Sequence, residues 1–287
     1  MEIKSIAIIG GSGFIGTHLQ KSLKEYKISL VSGRNIYNYT LMELAEKLND
    51  HDIVLNLAGS SLFGIWTNAK RKKILESRRL VTSSIVESFK YCSSKPKMFI
   101  NASAIGIYGQ DGEKDENNKN YDDDFLAYVV KEWEKAAISA ENYNVPTAII
   151  RFGVVLGRGG GSYEILRTLT KFNLGAYFGK GEQKLSFIYI QDVVRSIRFI
   201  IQNDITGIIN LTAPAATTYK EFIVALKSKL NAILIWRIPE ILIKIILGKA
   251  SVVVLKSQNV KPFVLSKNRF NFEAPDIHSC IKIIEKN

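Results

Sequence analysis

Three glycines at a GxxGxxG spacing, Gly10, Gly13 and Gly16, stand where an apolar run from Ile6 to Ile9 gives way to a helical pattern. Each has a physical task. Gly10 permits a tight turn, Gly13 lets backbone N–H groups approach a pyrophosphate with no Cβ in the way, and Gly16 allows close packing of helix on strand. With Ser12, Phe14 and Ile15 they make a phosphate-binding turn, and the helix N-terminus supplies the positive end of a dipole. Glycine triplets also occur in turns that bind nothing, so the strand-turn-helix context is what makes this one a dinucleotide signature.

In such motifs an acidic residue roughly 20 positions further on accepts the ribose 2′-OH of NAD. Here the second strand ends Leu30-Val31-Ser32-Gly33-Arg34-Asn35, with no carboxylate. Gly33 and Arg34 point to NADP, because a guanidinium meets a 2′-phosphate bidentately, and NAD is the alternative. The competing reading of Arg34 is a solvated charge at a strand end. A third apolar run closes on Leu57, Ala58 and Gly59, which either line the crevice where the dinucleotide lies or serve as plain turn residues.

These residues need a scaffold, and the chain alternates strand-like and helix-like segments to provide it. The pattern predicts strands at Ile3–Ile9, Ile28–Ser32, Asp52–Leu57, Met98–Ala102, Thr147–Arg151 and Gly207–Leu211. Helices are predicted at Phe14–Glu25, Leu41–Leu48, Ala69–Tyr91 and Asp124–Glu141, then at Tyr219–Leu230 and Glu240–Leu255. Strands alternating with helices mean βαβ units, hence an α/β fold with a doubly wound parallel sheet of Rossmann type. Residues 1–225 are expected to form an NADP-binding Rossmann core with substrate-side insertions near 155–190. Residues 226–287 are expected to form a smaller, mainly helical C-terminal subdomain.

Other segments carry weaker expectations. The acidic segment Gln110–Asp124 has the composition of a surface loop or lid. Lys184–Asp192 alternates like a strand, with Asp192 placed to cap the next helix. Ile233–Leu247 is the most apolar later stretch, but Arg237, Pro239, Glu240 and Lys244 interrupt it and it is too short to span a bilayer, so it reads as a buried helix.

Composition excludes several classes. Cys92 and Cys280 are the only cysteines and no Cys/His cluster has metal-ligand spacing, so neither a disulfide framework nor a metal is expected. No secretory leader is recognisable, and a cytoplasmic protein with no membrane partner is expected. The formal charge is +12, and from Lys227 to Asn287 eleven Lys/Arg face four Asp/Glu, a net of +7. Basic surfaces attract phosphates, yet no nucleic-acid-binding motif accompanies the lysines, so no specific nucleic acid is expected.

Further along, GGSGFIG at the first turn, NLAG after the third strand and a serine after the fourth occur in the order seen in extended and atypical short-chain dehydrogenase/reductases. RKKILESRR (71–79), SAIGIYG (103–109), KEWEKAA (131–137), RFGVVLGRGGG (151–161), FGKGEQKLSFIYIQDVV (178–194), INLTAPAATTYKEF (209–222) and NRFNFEAPDI (268–277) narrow the likeness. Over nearly its whole length the chain resembles the bacterial and organellar epimerase family proteins, which carry a C-terminal domain of unassigned role. The resemblance implies an NADP-type cofactor and a substrate side built from the C-terminal third. In the wider superfamily a strand-end serine orients the substrate oxygen, a YxxxK tyrosine moves the hydroxyl proton, and the lysine lowers the tyrosine pKa.

Ser103 matches the serine by position, but the YxxxK pair has no match. Tyr128 and Lys131 are three apart, near enough to share a helix face, and form a substitute pair; otherwise both are surface residues. Aligning the helix on Glu134 instead puts Leu126 and Val130 at the expected tyrosine and lysine positions. Tyr108 is the alternative proton donor, or a packing aromatic. The expected function is an NADP-dependent oxidoreductase or nucleotide-sugar epimerase-like enzyme, monomeric or homodimeric, acting on a small hydroxyl- or carbonyl-bearing substrate. In that reading the nicotinamide lies near Ser103, Gly153 and Val154. The alternative is an NADP(H)-binding sensor or scaffold that has lost the YxxxK chemistry.

Overall fold

A computed structural model describes residues 3–286. Six strands form the central sheet: β1 (Ser5–Ile9), β2 (Lys27–Val31), β3 (Ile53–Asn56), β4 (Met98–Ala104), β5 (Thr147–Phe152) and β6 (Gly207–Leu211). Their order is β6-β5-β4-β3-β1-β2, and every neighbouring pair is parallel. The helices are α1 (Phe14–Ser22), α2 (Leu41–Leu48), α3 (Asn68–Ser88), α4 (Phe125–Ile138), α5 (Gly161–Lys171), α6 (Ile190–Gln202), α7 (Tyr219–Lys229), α8 (Glu240–Leu247), α9 (Val252–Leu255), α10 (Phe263–Lys267) and α11 (Ile277–Ile284).

Alternation along β1 explains the three layers. Ile6 and Ile8 face one side and join Leu19 of α1, Val193 and Ile197 of α6, Phe222 of α7 and Ile281 of α11. Ala7 and Ile9 face the other side and join Leu44 of α2, Val81 and Ile85 of α3 and Ala137 of α4. With both faces covered the strands can be apolar throughout, as their runs of Ile and Val require. The mainly helical C-terminal end packs into the same core, since Ile277, Cys280 and Ile284 belong to the first cluster.

β2 lies on one side of β1 and β3 on the other. The winding direction therefore reverses at β1, and a crevice opens beyond the carboxyl ends of β1 and β3, where open α/β sheets bind ligands.

Three local expectations are corrected. Asp192 does not cap α6, whose N-cap is Tyr189 with no side-chain bond. The helix begins before Asp192, and the buried carboxylate instead accepts the N–H groups of Glu273 at 2.9 Å and Ala274 at 3.0 Å. The segment Gln110–Asp124 is mostly loop, but it is fastened down. Glu113–Lys114 pairs in parallel with Asn259–Val260, and the Glu116 carboxylate accepts N–H groups of Asn210, Phe263 and Val264. Finally, Ile233–Leu247 is not a buried helix. It contains a short strand, Trp236–Ile238, paired with Ala176–Phe178, and then α8, of which only Ile243 is buried.

Candidate functional site

The first turn is built from backbone constraints. Gly10 has φ +79°, a left-handed conformation that a side chain would strain, and a Cβ there would lie 2.9 Å from the Ala58 nitrogen. A Cβ on Gly16 would run into the backbone of Gly11, so Gly16 is required by closure of the turn on itself rather than by packing of helix on strand. Gly13 is the N-cap of α1, in extended conformation. No side chain caps α1, nor α5, α6, α8, α9 and α10, whereas Thr40, Thr67, Asp124, Thr218 and Asp276 cap α2, α3, α4, α7 and α11; of the uncapped ends, that of α1 opens on the glycine turn. The first-turn N–H groups of α1 are thus left for an anionic ligand, in a cradle that a Cβ would fill.

The walls of this cradle come from the ends of the next two strands. Gly33 packs so closely that a Cβ would lie 2.8 Å from the Ala58 Cβ. Arg34 is exposed and makes no hydrogen bond or ion pair with the described residues. Leu57 N–H donates to the Ile9 carbonyl at 2.9 Å, and the Asn56 Oδ1 accepts from Ala58 N–H at 3.0 Å. Asn56 is itself fixed, donating to Thr82 Oγ1 and Asn101 Oδ1.

From this turn a cleft of about 510 Å³ runs along the carboxyl ends of β1, β3, β4 and β5. Gly10, Gly13, Phe14, Ile15, Gly16, Leu57, Ala58 and Gly59 line one end of it. Ser103, Gly153 and Val154 line the other, whereas Ser12 is exposed outside. Gly153 must be small, because a Cβ there would lie 2.7 Å from the Ser186 carbonyl oxygen.

The expected chemical residues are distributed unevenly. Ser103 lies at the cleft floor, where its hydroxyl donates to Glu134 Oε1 at 2.5 Å. Glu134 is gripped by Arg151, whose Nε and Nη2 donate to the two carboxylate oxygens at 2.7 Å each. Arg151 Nη1 in turn donates to the Tyr108 hydroxyl at 2.7 Å, and that hydroxyl donates to Asn210 Oδ1 at 3.1 Å. Tyr108 is fully buried and does not line the cleft. Burial pushes its phenol up to about 12 despite the nearby guanidinium. Burial alone would push the Arg151 pKa down, but Glu134 outweighs it and holds Arg151 charged.

Tyr128 and Lys131 are not brought to the cleft. Tyr128 is 48% exposed, and Lys131 Nζ donates to the Asp122 carbonyl at 2.7 Å. The face of α4 that lines the cleft carries Leu126, Val129, Val130 and Trp133. Leu126 and Val130, the positions aligned with the tyrosine and lysine, therefore offer only methyl groups.

Two cleft cations carried no expectation. Arg78 is half-buried beside Gly59, donates to the Ser60 and Ile74 carbonyls, and lies 5.2 Å over the Trp133 ring. Without an ion-pair partner among the described residues, it is pushed down by burial to about 10. It sits within the RKKILESRR segment, where its helical spacing from Ile74 was the available signal. Lys256 reaches in from the C-terminal end and is held by Asp122 at 2.9 Å, Asp124 at 3.0 Å and the Gly106 carbonyl. Among the described residues, no three His, Cys, Asp or Glu side chains converge as a metal site would require.

Comparison with known proteins fits this geometry. Residues 6–212 match the model of the NAD dependent epimerase/dehydratase family, and residues 238–284 match a domain of unknown function, DUF1731. The chain is 33% identical over 294 residues to the epimerase family protein YfhF of Bacillus subtilis, covering 95% of each. Among solved structures, it is similar to the human epimerase family protein SDR39U1 with NADPH, at TM-score 0.88 and 25% identity over 99% of both chains. It is also similar to a nucleoside-diphosphate sugar epimerase from Corynebacterium glutamicum, at TM-score 0.80 and 26% identity over 99% of this chain and 58% of that one.

Proposed function

The chain belongs to the NAD dependent epimerase/dehydratase family, and from that premise we propose that it is an NADP-dependent oxidoreductase or epimerase-like enzyme acting on a small hydroxyl- or carbonyl-bearing substrate. The carrying observation is the uncapped α1 N-terminus at the sheet's reversal point, continuous with a cleft that ends on Ser103. Gly10, Gly13, Phe14, Ile15 and Gly16 would hold the pyrophosphate. The unpaired Arg34 would meet the 2′-phosphate. The NADPH bound by the human relative supports the same assignment.

When bound, the nicotinamide supplies a hydride donor or acceptor. What this chain adds is a fixed polar contact at Ser103. Glu134, doubly bonded to Arg151, is an acceptor only, so the Ser103 proton is committed to it. Toward the cleft, Ser103 therefore presents lone pairs that accept from a substrate hydroxyl. Tyr108 and the pair Tyr128 and Lys131 lie outside the cleft and take no part in this reading. Residues 226–287 complete the substrate side through Val252, Val253, Lys256 and Gln258, which line the cleft opposite the cofactor turn.

Titration of the protein with NADPH and NADH tests the proposal. NADPH should bind at least about tenfold more tightly, the worth of one charge-assisted bidentate contact, and failure to bind either would sink it. One observation favours the second reading, a cofactor-binding sensor without chemistry: Leu126 and Val130 face the cleft where a proton carrier is expected. That reading predicts tight NADPH binding with no turnover of alcohols, carbonyl compounds or nucleotide sugars, whereas turnover lost in Ser103→Ala selects the enzyme.

A further inference from the structure

The stretch expected to be a buried helix is instead the most exposed apolar surface of the chain. Ile241, Leu242, Ile245 and Ile246 of α8 are between 47 and 71% exposed, and Ile233 and Trp236 just before them are 75 and 54% exposed. With Leu234, seven large apolar side chains turned to water in fourteen residues form a patch that soluble monomers rarely leave open. The patch is also held firmly. Asn173 Oδ1 accepts the N–H groups of Ile233 at 2.7 Å and Leu234 at 3.1 Å, its carbonyl accepts from Trp236 Nε1 at 2.8 Å, and Trp236–Ile238 pairs with Ala176–Phe178.

The charges around the patch decide between occupants. From Ile233 to Lys256 there is one acidic residue, Glu240, against Arg237, Lys244, Lys249 and Lys256. Lys256 is neutralised inside by Asp122 and Asp124. Arg237, Lys244 and Lys249 are exposed and make no ion pair with the described residues. A second copy docked about a two-fold axis would set this basic face against itself. An anionic bilayer would receive the aliphatic side chains and Trp236 at its interface while attracting the three cations. The surface also leads into the cleft. Beyond α8, Val253 of α9 is exposed and lines the cleft, while Val252 packs beside Trp66 and Phe125.

We propose that α8 and the strand before it form a docking surface for an anionic lipid bilayer, on which the chain lies without crossing it and with its cleft beside the lipid interface. This inference rests on surface residues and stands apart from the cofactor assignment. No helix of the described residues is long and apolar enough to span a membrane.

Co-sedimentation of the full chain with vesicles tests it, using phosphatidylglycerol mixed with phosphatidylcholine against phosphatidylcholine alone. Binding should require the anionic lipid and weaken from about 50 to about 300 mM salt as the Debye length shortens. Lys244→Gln with Lys249→Gln should weaken it about 25-fold, roughly fivefold per lysine. Ile245→Asp with Ile246→Asp should weaken it at least about tenfold while leaving the unfolding temperature within a few degrees, since neither side chain is packed. The proposal is overturned if the chain ignores anionic vesicles or if both double variants bind as wild type does. It is equally overturned if gel filtration shows a dimer that Ile245→Asp with Ile246→Asp splits.

Discussion

Replacing Glu134 by Gln tests the network on which the reading of Ser103 depends. Arg151 has a side chain with 0% exposure, and Glu134 is the only carboxylate within ion-pair distance of it among the described residues. The substitution removes the charge that two guanidinium N–H groups and the Ser103 hydroxyl all address. It also turns an amide N–H₂ toward a donor. An uncompensated buried charge costs about 3–5 kcal/mol. With an unfolding entropy near 2.1 cal/mol/K per residue, a chain of 287 residues converts that cost into a drop of roughly 5–8 °C in unfolding temperature.

Calorimetry of wild type, Glu134→Gln, Arg151→Met and the double variant Glu134→Leu with Arg151→Met is the assay. Apolar replacement of both partners of a buried pair is often neutral, so the double variant should be more stable than either single one, with a coupling of at least about 2 kcal/mol. Strict additivity, or a fall of under about 1 °C in Glu134→Gln, would refute the claim that the pair holds Ser103 in a desolvated, charge-locked network.

Three further outcomes follow from individual contacts. Arg34→Ala should raise the NADPH dissociation constant about tenfold or more while leaving NADH nearly unchanged, as read by fluorescence titration. Gly10→Ala, which adds a Cβ at φ +79° against Ala58, should lower stability by about 1–3 kcal/mol and weaken NADPH binding. The third concerns acid stability. Burial works against ionisation of Asp52, but the Lys97 ammonium at 2.7 Å and the N–H groups of Lys4 and Ser5 outweigh it and hold the carboxyl down at about 2, against an ordinary 3.8. Because the folded value is depressed, its stabilisation is full above pH 3.8 and is lost as pH falls through about 2. Acid unfolding should show Asp52→Asn less stable at neutral pH and converging with wild type as the solution approaches pH 2.

Much of the fold was legible because its signals are local. The run Ile6–Ile9 followed by three spaced glycines specifies a buried strand, a tight turn and a helix from neighbouring residues alone, and the observed β1, Gly10 and α1 lie where that pattern puts them. The partners of polar side chains were less legible. Tyr108, Glu134, Arg151 and Asn210 meet only after α4, β5 and β6 have docked, across separations of 17 to 102 residues. No spacing rule connects them. The same limit applies to Asp192, whose N–H donors were expected in the helix it was placed to cap and instead lie 81 and 82 residues away.

The helix α4 and the stretch around α8 show the opposite sides of one principle. Periodicity reports which side of a helix is apolar, and only docking decides what that side meets. On α4 the apolar stripe through Leu126, Val129, Val130 and Trp133 forms a wall of the cleft, which removes a tyrosine and a lysine from the place where the wider superfamily keeps its proton carrier. On α8 Ile243 is buried and Leu247 packs beside Trp66 and Ala250, but Ile241, Leu242, Ile245 and Ile246 face water, although composition alone assigns them to a core. On α4 hydrocarbon lines the cleft where the wider superfamily carries polar groups, and on α8 it faces water. If the cleft takes the substrate and α8 the bilayer, as proposed, the wall of Leu126, Val129 and Val130 predicts a reactant less polar than a nucleotide sugar. Comparing turnover of an apolar alcohol with that of a nucleotide sugar, in the presence of anionic vesicles, would separate the two.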